Sequence, residues 1–129
     1  MEKELTPKKF SLMRRAKSLT HAWRGIEIMV RSTHNAWLEC LFSLIIVCMG
    51  FYFHITQIEW ILAIFAVGFV LAAEAFNTAI EIDINLTSPE YHPYARDTKD
   101  VAAGAVLISG ITAFVIWGLI FAPYILKII

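Results

Sequence analysis

Cysteine and glycine are scarce in this sequence, and their scarcity excludes several kinds of site. Cys40 and Cys48 lie eight positions apart in one apolar segment, too far apart on a helix for a disulfide, so buried free thiols are expected. The six glycines form neither a Walker A motif nor a kinase glycine loop, and no Cys/His metal cluster is present. A signal-peptide pattern is also missing, because the N-terminal charged region is too long and no cleavage site follows an apolar stretch.

Charge is nearly absent from three segments, each about as long as a bilayer-spanning helix. The segments and their charged residues are 36–53 with Glu39, 60–82 with Glu74 and Glu81, and 101–122 with none. A span needs about 20 residues, and 58% of the chain is hydrophobic. The sequence therefore predicts an all-α membrane protein with three transmembrane helices. A soluble helical bundle is disfavoured because the third segment has no polar face to present to water.

The charges that are present divide the chain into a basic and an acidic part. Residues 1–32 hold eight Lys or Arg and three acids, a net charge of +5, and the remainder holds three bases and eight acids, a net charge of −5. Residues 1–32 are here called the leader. Apolar residues recur in the leader at helical spacing: Leu12, Leu19, Trp23, Ile26 and Val30. We therefore expect an amphipathic helix from Lys8 to about Arg31 that lies in the membrane interface, on the cytoplasmic side.

Polar breaks separate the predicted helices. Residues 32–35 precede the first span, residues 54–59 form a turn between antiparallel spans, and residues 85–99 form a polar loop with two helix-ending X-Pro pairs. Pro123 is predicted to end the third helix. The whole chain, 1–129, is predicted to be one integral-membrane domain in a bacterial inner membrane, with the N-terminus and the 85–99 loop cytoplasmic.

Ionisable residues interrupt the second span on one side only. At about 100° per residue, Glu74, Asn77, Glu81 and Asn85 fall on one narrow face of a helix, here called the carboxylate stripe. Ionisable groups are expensive inside a membrane and usually face a partner, a cavity or a reaction. The stripe is therefore the predicted active site.

Residue chemistry leaves two kinds of function open for this stripe. Phosphoryl transfer needs a base, a divalent ion and a cation on the phosphates, and Glu74, Glu81 and Lys99 could supply these parts. A proton-coupled carrier would use similar intramembrane carboxylates. The residues alone indicate a membrane-embedded acid–base or metal site.

The motif around the stripe narrows this choice. The run Glu74-Ala-Phe-Asn77-Thr-Ala-Ile-Glu81 and the later run Lys99-Asp100-Val-Ala-Ala-Gly104-Ala-Val-Leu-Ile108 closely resemble the prokaryotic diacylglycerol kinase family, which includes the undecaprenol kinases. The resemblance covers about residues 10–122. It implies a surface helix, three transmembrane helices and a homotrimer with sites shared between protomers. It also implies magnesium- and ATP-dependent phosphorylation of a lipid alcohol, with no nucleic-acid partner.

The resemblance also implies a role for each matching residue. Glu74 would be the general base on the lipid hydroxyl, with Asn77 as a positioning residue beside it. Glu81 would be a metal ligand, at a site whose second carboxylate position is occupied here by Thr33. The residues implied to bind nucleotide are Arg14, Lys17, His92, Lys99 and Asp100.

Four positions depart from the family pattern. Where the family has a Glu, an Arg and a His at the start of the first span, this chain has Thr33, Trp37 and Glu39, and Asn85 stands where the family usually has an Asp. These departures motivate an alternative function. The chain would then be a catalytically weak or inactive family member that acts as a trimeric membrane scaffold or lipid-binding protein.

Overall fold

Four helices make up the described part of the chain. The computed structural model describes residues 11–32 and 34–129, and of residues 34–36 only the backbone. The helices are α1 (Leu12–Ser32), α2 (His34–Phe53), α3 (Gln57–Thr87) and α4 (Pro93–Leu126). The described residues contain no strand, so the expected all-α class is confirmed.

Helix α1 confirms most of the helical leader predicted from the sequence. The predicted start at Lys8 lies outside the described residues. Leu19, Trp23 and Ile26 are exposed, and Met29 is the buried residue of this helix. An apolar side that the protein leaves uncovered is what a helix in a membrane interface requires.

A short turn connects α2 and α3. His54 adopts a left-handed backbone conformation at φ 51°, and α3 begins at Gln57. Thr56 caps α3 through a capping box, in which its side chain accepts from the Glu59 N–H and the Glu59 carboxylate accepts from the Thr56 N–H. The predicted turn at 54–59 is therefore shorter than expected, because Glu59 lies in the first turn of the helix.

The loop between α3 and α4 is also shorter than the 85–99 segment that the sequence predicted. Helix α3 continues to Thr87, and α4 begins at Pro93. The prediction treated Pro93 only as a residue that ends helices. Proline is favoured at the first helical position, where its missing N–H has no intrahelical partner to lose, so Pro93 begins α4 instead.

Pro123 does not end the third predicted span. It lies inside α4, which ends at Leu126. The prediction was wrong because proline removes one backbone donor, and this loss is tolerated so close to the end of the helix. The predicted spans 36–53, 60–82 and 101–122 all lie within longer helices.

The described residues supply two to three candidate membrane spans. Helices α3 and α4 are each long and apolar enough to cross a membrane, by length and composition. The third candidate combines α1 with Trp37–Phe53, two helices that bend by 104° relative to each other. An angle of this size is compatible with a surface helix followed by a span. The structure thus confirms an all-α membrane protein, and the homotrimer and the single domain over 1–129 stay predictions.

Small residues form the seam between α3 and α4. Ala63, Ala66 and Val70 of α3 are buried, as are Ala113 and Ile120 of α4. Small side chains allow close helix approach, which is how helices associate in lipid. Several large apolar side chains of the two helices face outward: Phe65, Phe76, Phe114 and Leu119 are all exposed. The pairing of α3 with α4 fixes the position of the carboxylate stripe.

Candidate active site

Glu74 is buried within the helical assembly. Its relative exposure is 2%, and the adjoining stripe residue Asn77 is 7% exposed. Burying a carboxylate is expensive unless it is compensated, so its place in an apolar helix is not explained by packing. The structure therefore supports the expectation that this part of α3 is a functional site.

Asn77, one turn after Glu74, contacts the next carboxylate along the stripe. Asn77 Nδ2 donates a hydrogen bond to Glu81 Oε1 over 3.2 Å. The two residues are four positions apart, so the helical repeat places them one above the other on the same face. The hydrogen bond orients the Glu81 carboxylate and leaves its second oxygen available.

Two buried oxygen atoms near Glu74 lack partners. Asn77 Oδ1 and Thr78 Oγ1 form no hydrogen bond with any described residue. An unsatisfied buried polar atom costs about 1–3 kcal/mol. The site therefore retains hydrogen-bonding capacity beside the buried carboxylate, and a bound molecule or water could use it.

Glu39 adjoins the candidate site, and sequence reasoning did not assign it a role. This α2 carboxylate interacts electrostatically with Glu74, and its Oε2 atom is buried without a hydrogen-bond partner among the described residues. The charge of Glu81 also acts on Glu74. The available sequence signal was that Glu39 is the only charged residue in the first predicted span.

A polar groove lies where α3 meets α4, and we call it the hairpin groove. Its volume is about 350 Å³, and its polar lining residues are Asn85, Ser88, Glu90, Tyr91, His92, Arg96, Lys99 and Asp100. Lys99 Nζ donates to Asn85 Oδ1 over 2.6 Å. Arg96 Nε lies 3.6 Å from Asp100 Oδ2. The groove thus brings together three of the predicted nucleotide-binding residues, His92, Lys99 and Asp100.

The two predicted nucleotide-binding residues of the leader lie elsewhere. Arg14 and Lys17 are exposed on the first turns of α1, and no residue of α1 lines the hairpin groove. Thr33, the predicted position at the metal site, lies outside the described residues. Within the described part of the chain, no group of three His, Cys, Asp or Glu side chains is arranged to hold a metal ion.

An apolar groove extends away from Glu39 between α2, α3 and α4. Its volume is about 430 Å³, and its lining includes Phe42, Val70, Val106 and Phe114. Glu39 is the charged residue in this lining. Most of the residues that line this groove are apolar.

Together these features define a class of protein: an all-helical membrane protein with a buried carboxylate site and a polar groove beside it. The family model described as prokaryotic diacylglycerol kinase matches residues 20–121. The chain belongs to this family, as its motif indicated, and is a lipid kinase of the family.

Several family members are similar over most of their length. An undecaprenol kinase of Bacillus subtilis is 35% identical over 107 residues, which cover 83% of this chain and 87% of that protein. A diacylglycerol kinase of Helicobacter pylori is 29% identical over 122 residues, covering 89% and 90%. A diacylglycerol kinase of Escherichia coli K12 is 28% identical over 104 residues, covering 78% and 83%.

Proposed function

We propose that this protein transfers the γ-phosphate of ATP to the hydroxyl group of a membrane lipid alcohol. The observation that carries the proposal is Glu74, a buried carboxylate on one helical face with Asn77 and Glu81. A base that acts on a lipid hydroxyl has to lie at the same depth in the membrane as that hydroxyl. The hairpin groove at the end of the same helix holds Lys99 and Arg96, the cationic side chains that phosphate requires.

Glu74 is the proposed general base, and Asn77 is its positioning residue. A carboxylate within hydrogen-bond reach can accept the proton of the attacking hydroxyl as the new O–P bond forms. Thr78 Oγ1 is buried beside it without a partner, and its hydroxyl group could donate to the oxygen of the substrate hydroxyl and so orient it. This arrangement places proton acceptance and orientation on adjacent turns of α3.

Glu81 is the proposed carboxylate ligand of magnesium. Magnesium commonly uses one or two protein carboxylates and completes its shell with phosphate oxygens and water. The Glu81 carboxylate fits this requirement because Asn77 orients one of its oxygens. When bound, magnesium would neutralise developing phosphate charge. The Thr33 hydroxyl is the second proposed ligand, at the position where the resemblance implies a carboxylate.

The hairpin groove is the proposed site for the ATP phosphates. Lys99 supplies an ammonium group to the phosphates, Asp100 supports this part of α4, and His92 lies at the nucleotide. Arg14 and Lys17 are proposed to reach the nucleotide from the leader. In a homotrimer, which we also propose, a leader from another copy could supply them.

Undecaprenol is the substrate that we propose first. The identity of 35% to the Bacillus subtilis undecaprenol kinase exceeds the 28% and 29% found for two diacylglycerol kinases. The apolar groove beside Glu39 could accommodate the start of a polyisoprenoid or an acyl chain. Diacylglycerol is the alternative substrate, and direct comparison of the two lipids decides between them.

We propose that the N-terminus and the hairpin groove lie on the cytoplasmic side of a bacterial inner membrane. The net charge of +5 in residues 1–32 favours this orientation. It also places the groove where ATP is available. Labelling of single cysteines introduced near Lys99 and near Lys127 in intact and permeabilised cells tests the orientation.

Phosphate transfer from radiolabelled MgATP to undecaprenol and to diacylglycerol tests the activity. The protein is purified and reconstituted in lipid, and Glu74→Gln is measured beside it. Glu59→Gln is a matched control because Glu59 is a half-buried carboxylate of the same helix, outside the stripe. Glu74→Gln should abolish transfer and Glu59→Gln should retain it. Unchanged transfer by Glu74→Gln contradicts its role as base.

The inactive-scaffold alternative has its own test in the same assay. Thr33 occupies a position where the resemblance implies a metal-binding carboxylate. Thr33→Glu would supply that carboxylate, so it should increase activity or reduce the magnesium concentration required for activity. Loss of one metal carboxylate can cost several kcal/mol of transition-state stabilisation. If the starting protein transferred no phosphate and Thr33→Glu did, the protein would be an inactive family member.

A further inference from the structure

The side chain of Lys99 is hydrogen-bonded to a neutral amide and not to a carboxylate. Its ammonium group donates to the amide oxygen of Asn85 over 2.6 Å, across the loop that joins α3 and α4. Lys99 forms no ion pair with any described residue, whereas its groove neighbours Arg96 and Asp100 lie 3.6 Å apart. The Lys99 charge is therefore held in place by a dipole and is not neutralised by a carboxylate.

The geometry fixes which end of the Asn85 amide faces Lys99. A lysine ammonium has three donors and no acceptor, so only the amide oxygen can bond to it. Asn85 precedes the end of α3 at Thr87, and Lys99 lies in the second turn of α4. This contact thus fixes a long, flexible side chain at the mouth of the hairpin groove, and reduces the entropy that Lys99 would lose on binding a ligand.

The charge balance of the groove depends on position 85. The lining has two cationic residues, Arg96 and Lys99, and two acidic residues, Glu90 and Asp100. These charges sum to zero with asparagine at position 85 and would sum to −1 with aspartate there. An aspartate would also pair directly with Lys99. Both effects oppose the binding of a polyphosphate anion.

We propose that Asn85 is a positioning residue for Lys99, which it orients toward a polyphosphate without neutralising its charge. The proposal rests on the proposed function, because the ligand is the triphosphate of the nucleotide. It gives position 85 a role in the affinity for that ligand. Asparagine at position 85, where the family usually has aspartate, then favours phosphate binding and does not impair the site.

Binding of inorganic tripolyphosphate to the full-length protein in lipid nanodiscs tests the proposal. No lipid acceptor is present, so the readout does not depend on phosphate transfer. Asn85→Asp should weaken binding about fivefold at low ionic strength, which is the scale of an exposed ion pair. The difference should shrink as salt is added, because screening weakens both repulsion and pairing. Asn85→Ala should weaken binding without increasing the salt sensitivity.

A double-mutant cycle separates positioning from a purely structural role. In a Lys99→Met background, Asn85→Ala should change tripolyphosphate affinity by less than about twofold, because the residue on which Asn85 acts is gone. Equal effects of Asn85→Ala in the presence and absence of Lys99 would overturn the proposal. It would also be overturned if Asn85→Asp bound as tightly as the starting protein, or if the starting protein bound no tripolyphosphate.

These outcomes distinguish the inference from the proposed function. Tripolyphosphate binding with coupled effects at positions 85 and 99, but without phosphate transfer to either lipid, would support the inference and contradict the kinase proposal. Transfer without coupling between the two positions would do the reverse. Thermal unfolding of each variant shows whether it is folded, and the conservative Asn85→Gln variant should recover part of the affinity lost in Asn85→Ala.

Discussion

Asn77 Nδ2 donates a hydrogen bond to Glu81 Oε1 over 3.2 Å, one turn further along the same face of α3. Asn77 thereby fixes the orientation of the proposed magnesium ligand. Loss of a residue that orients a metal ligand typically lowers metal affinity or activity about 10- to 100-fold. We expect Asn77→Ala to lower the rate of phosphate transfer by this amount and to raise the magnesium concentration for half-maximal activity.

A magnesium titration of the activity separates this effect from general damage to α3. Phe76→Ala is the control, because Phe76 is the adjoining residue and its side chain is 72% exposed. It should leave the magnesium requirement unchanged. An Asn77→Ala variant with a normal magnesium requirement and a normal rate would show that the hydrogen bond has no part in catalysis.

Glu74→Gln should separate stability from activity. The buried carboxylate is almost fully removed from solvent at 2% exposure, and an amide of the same shape carries no charge to desolvate. We expect Glu74→Gln to unfold at a temperature equal to or above that of the starting protein, although its transfer activity is lost. A gain in stability that accompanies a loss of activity is expected where a residue serves function and the fold does not require it.

Thermal unfolding in the same lipid mixture measures this stability. Phe76→Gln is a suitable comparison, because it introduces the same amide at an exposed neighbouring position. Marked destabilisation by Glu74→Gln would assign Glu74 a structural role, such as an interhelical hydrogen bond, in place of the proposed role as base.

Much of this fold could be predicted from the distribution of charge alone. The uncharged segments predicted the helical membrane class, and the helical repeat placed Glu74, Asn77 and Glu81 on one face. In the structure this spacing allows a hydrogen bond between Asn77 and Glu81, which was not itself predicted. These features are local, since they depend only on the period of one helix.

Contacts between helices could not be predicted in this way. The hydrogen bond between Lys99 and Asn85 depends on where the loop ends, and the sequence pattern predicted both residues at the limits of a loop. Glu39 was noted in the sequence as an isolated charge. Its interaction with Glu74 depends on the packing of α2, which the helical period does not specify. The roles of these residues in catalysis stay predictions.

A polar contact at the opposite end of the helices should contribute to stability and not to catalysis. Tyr124 Oη donates to Glu59 Oε2 over 2.8 Å and so ties the end of α4 to the start of α3. Tyr124→Phe removes only this donor. We expect a small decrease in unfolding temperature and no change in phosphate transfer, measured on the same preparation. A large loss of activity would contradict the separation of this contact from the site.

Gly50 lies against the ring of Trp60 at the α2–α3 turn. A Cβ atom at position 50 would lie 2.6 Å from Trp60 Cη2 and 2.7 Å from Trp60 Cζ2, so the indole would have to move. Overpacking of this kind costs about 1–3 kcal/mol, against a gain of roughly 0.5–1 kcal/mol when alanine replaces glycine in a helix. We expect Gly50→Ala to be destabilising by about 1–2 kcal/mol, measured by denaturant unfolding in micelles.

Gly68→Ala is the matched control for this prediction. It makes the same change inside α3, where a Cβ atom would meet nothing within 4 Å. Only the helix propensity term then remains, so Gly68→Ala should be neutral or slightly stabilising. The opposite signs expected for the two variants follow from the contact with Trp60. Equal stabilities would show that Trp60 can move aside at no cost, and that this close approach does not fix the α2–α3 turn.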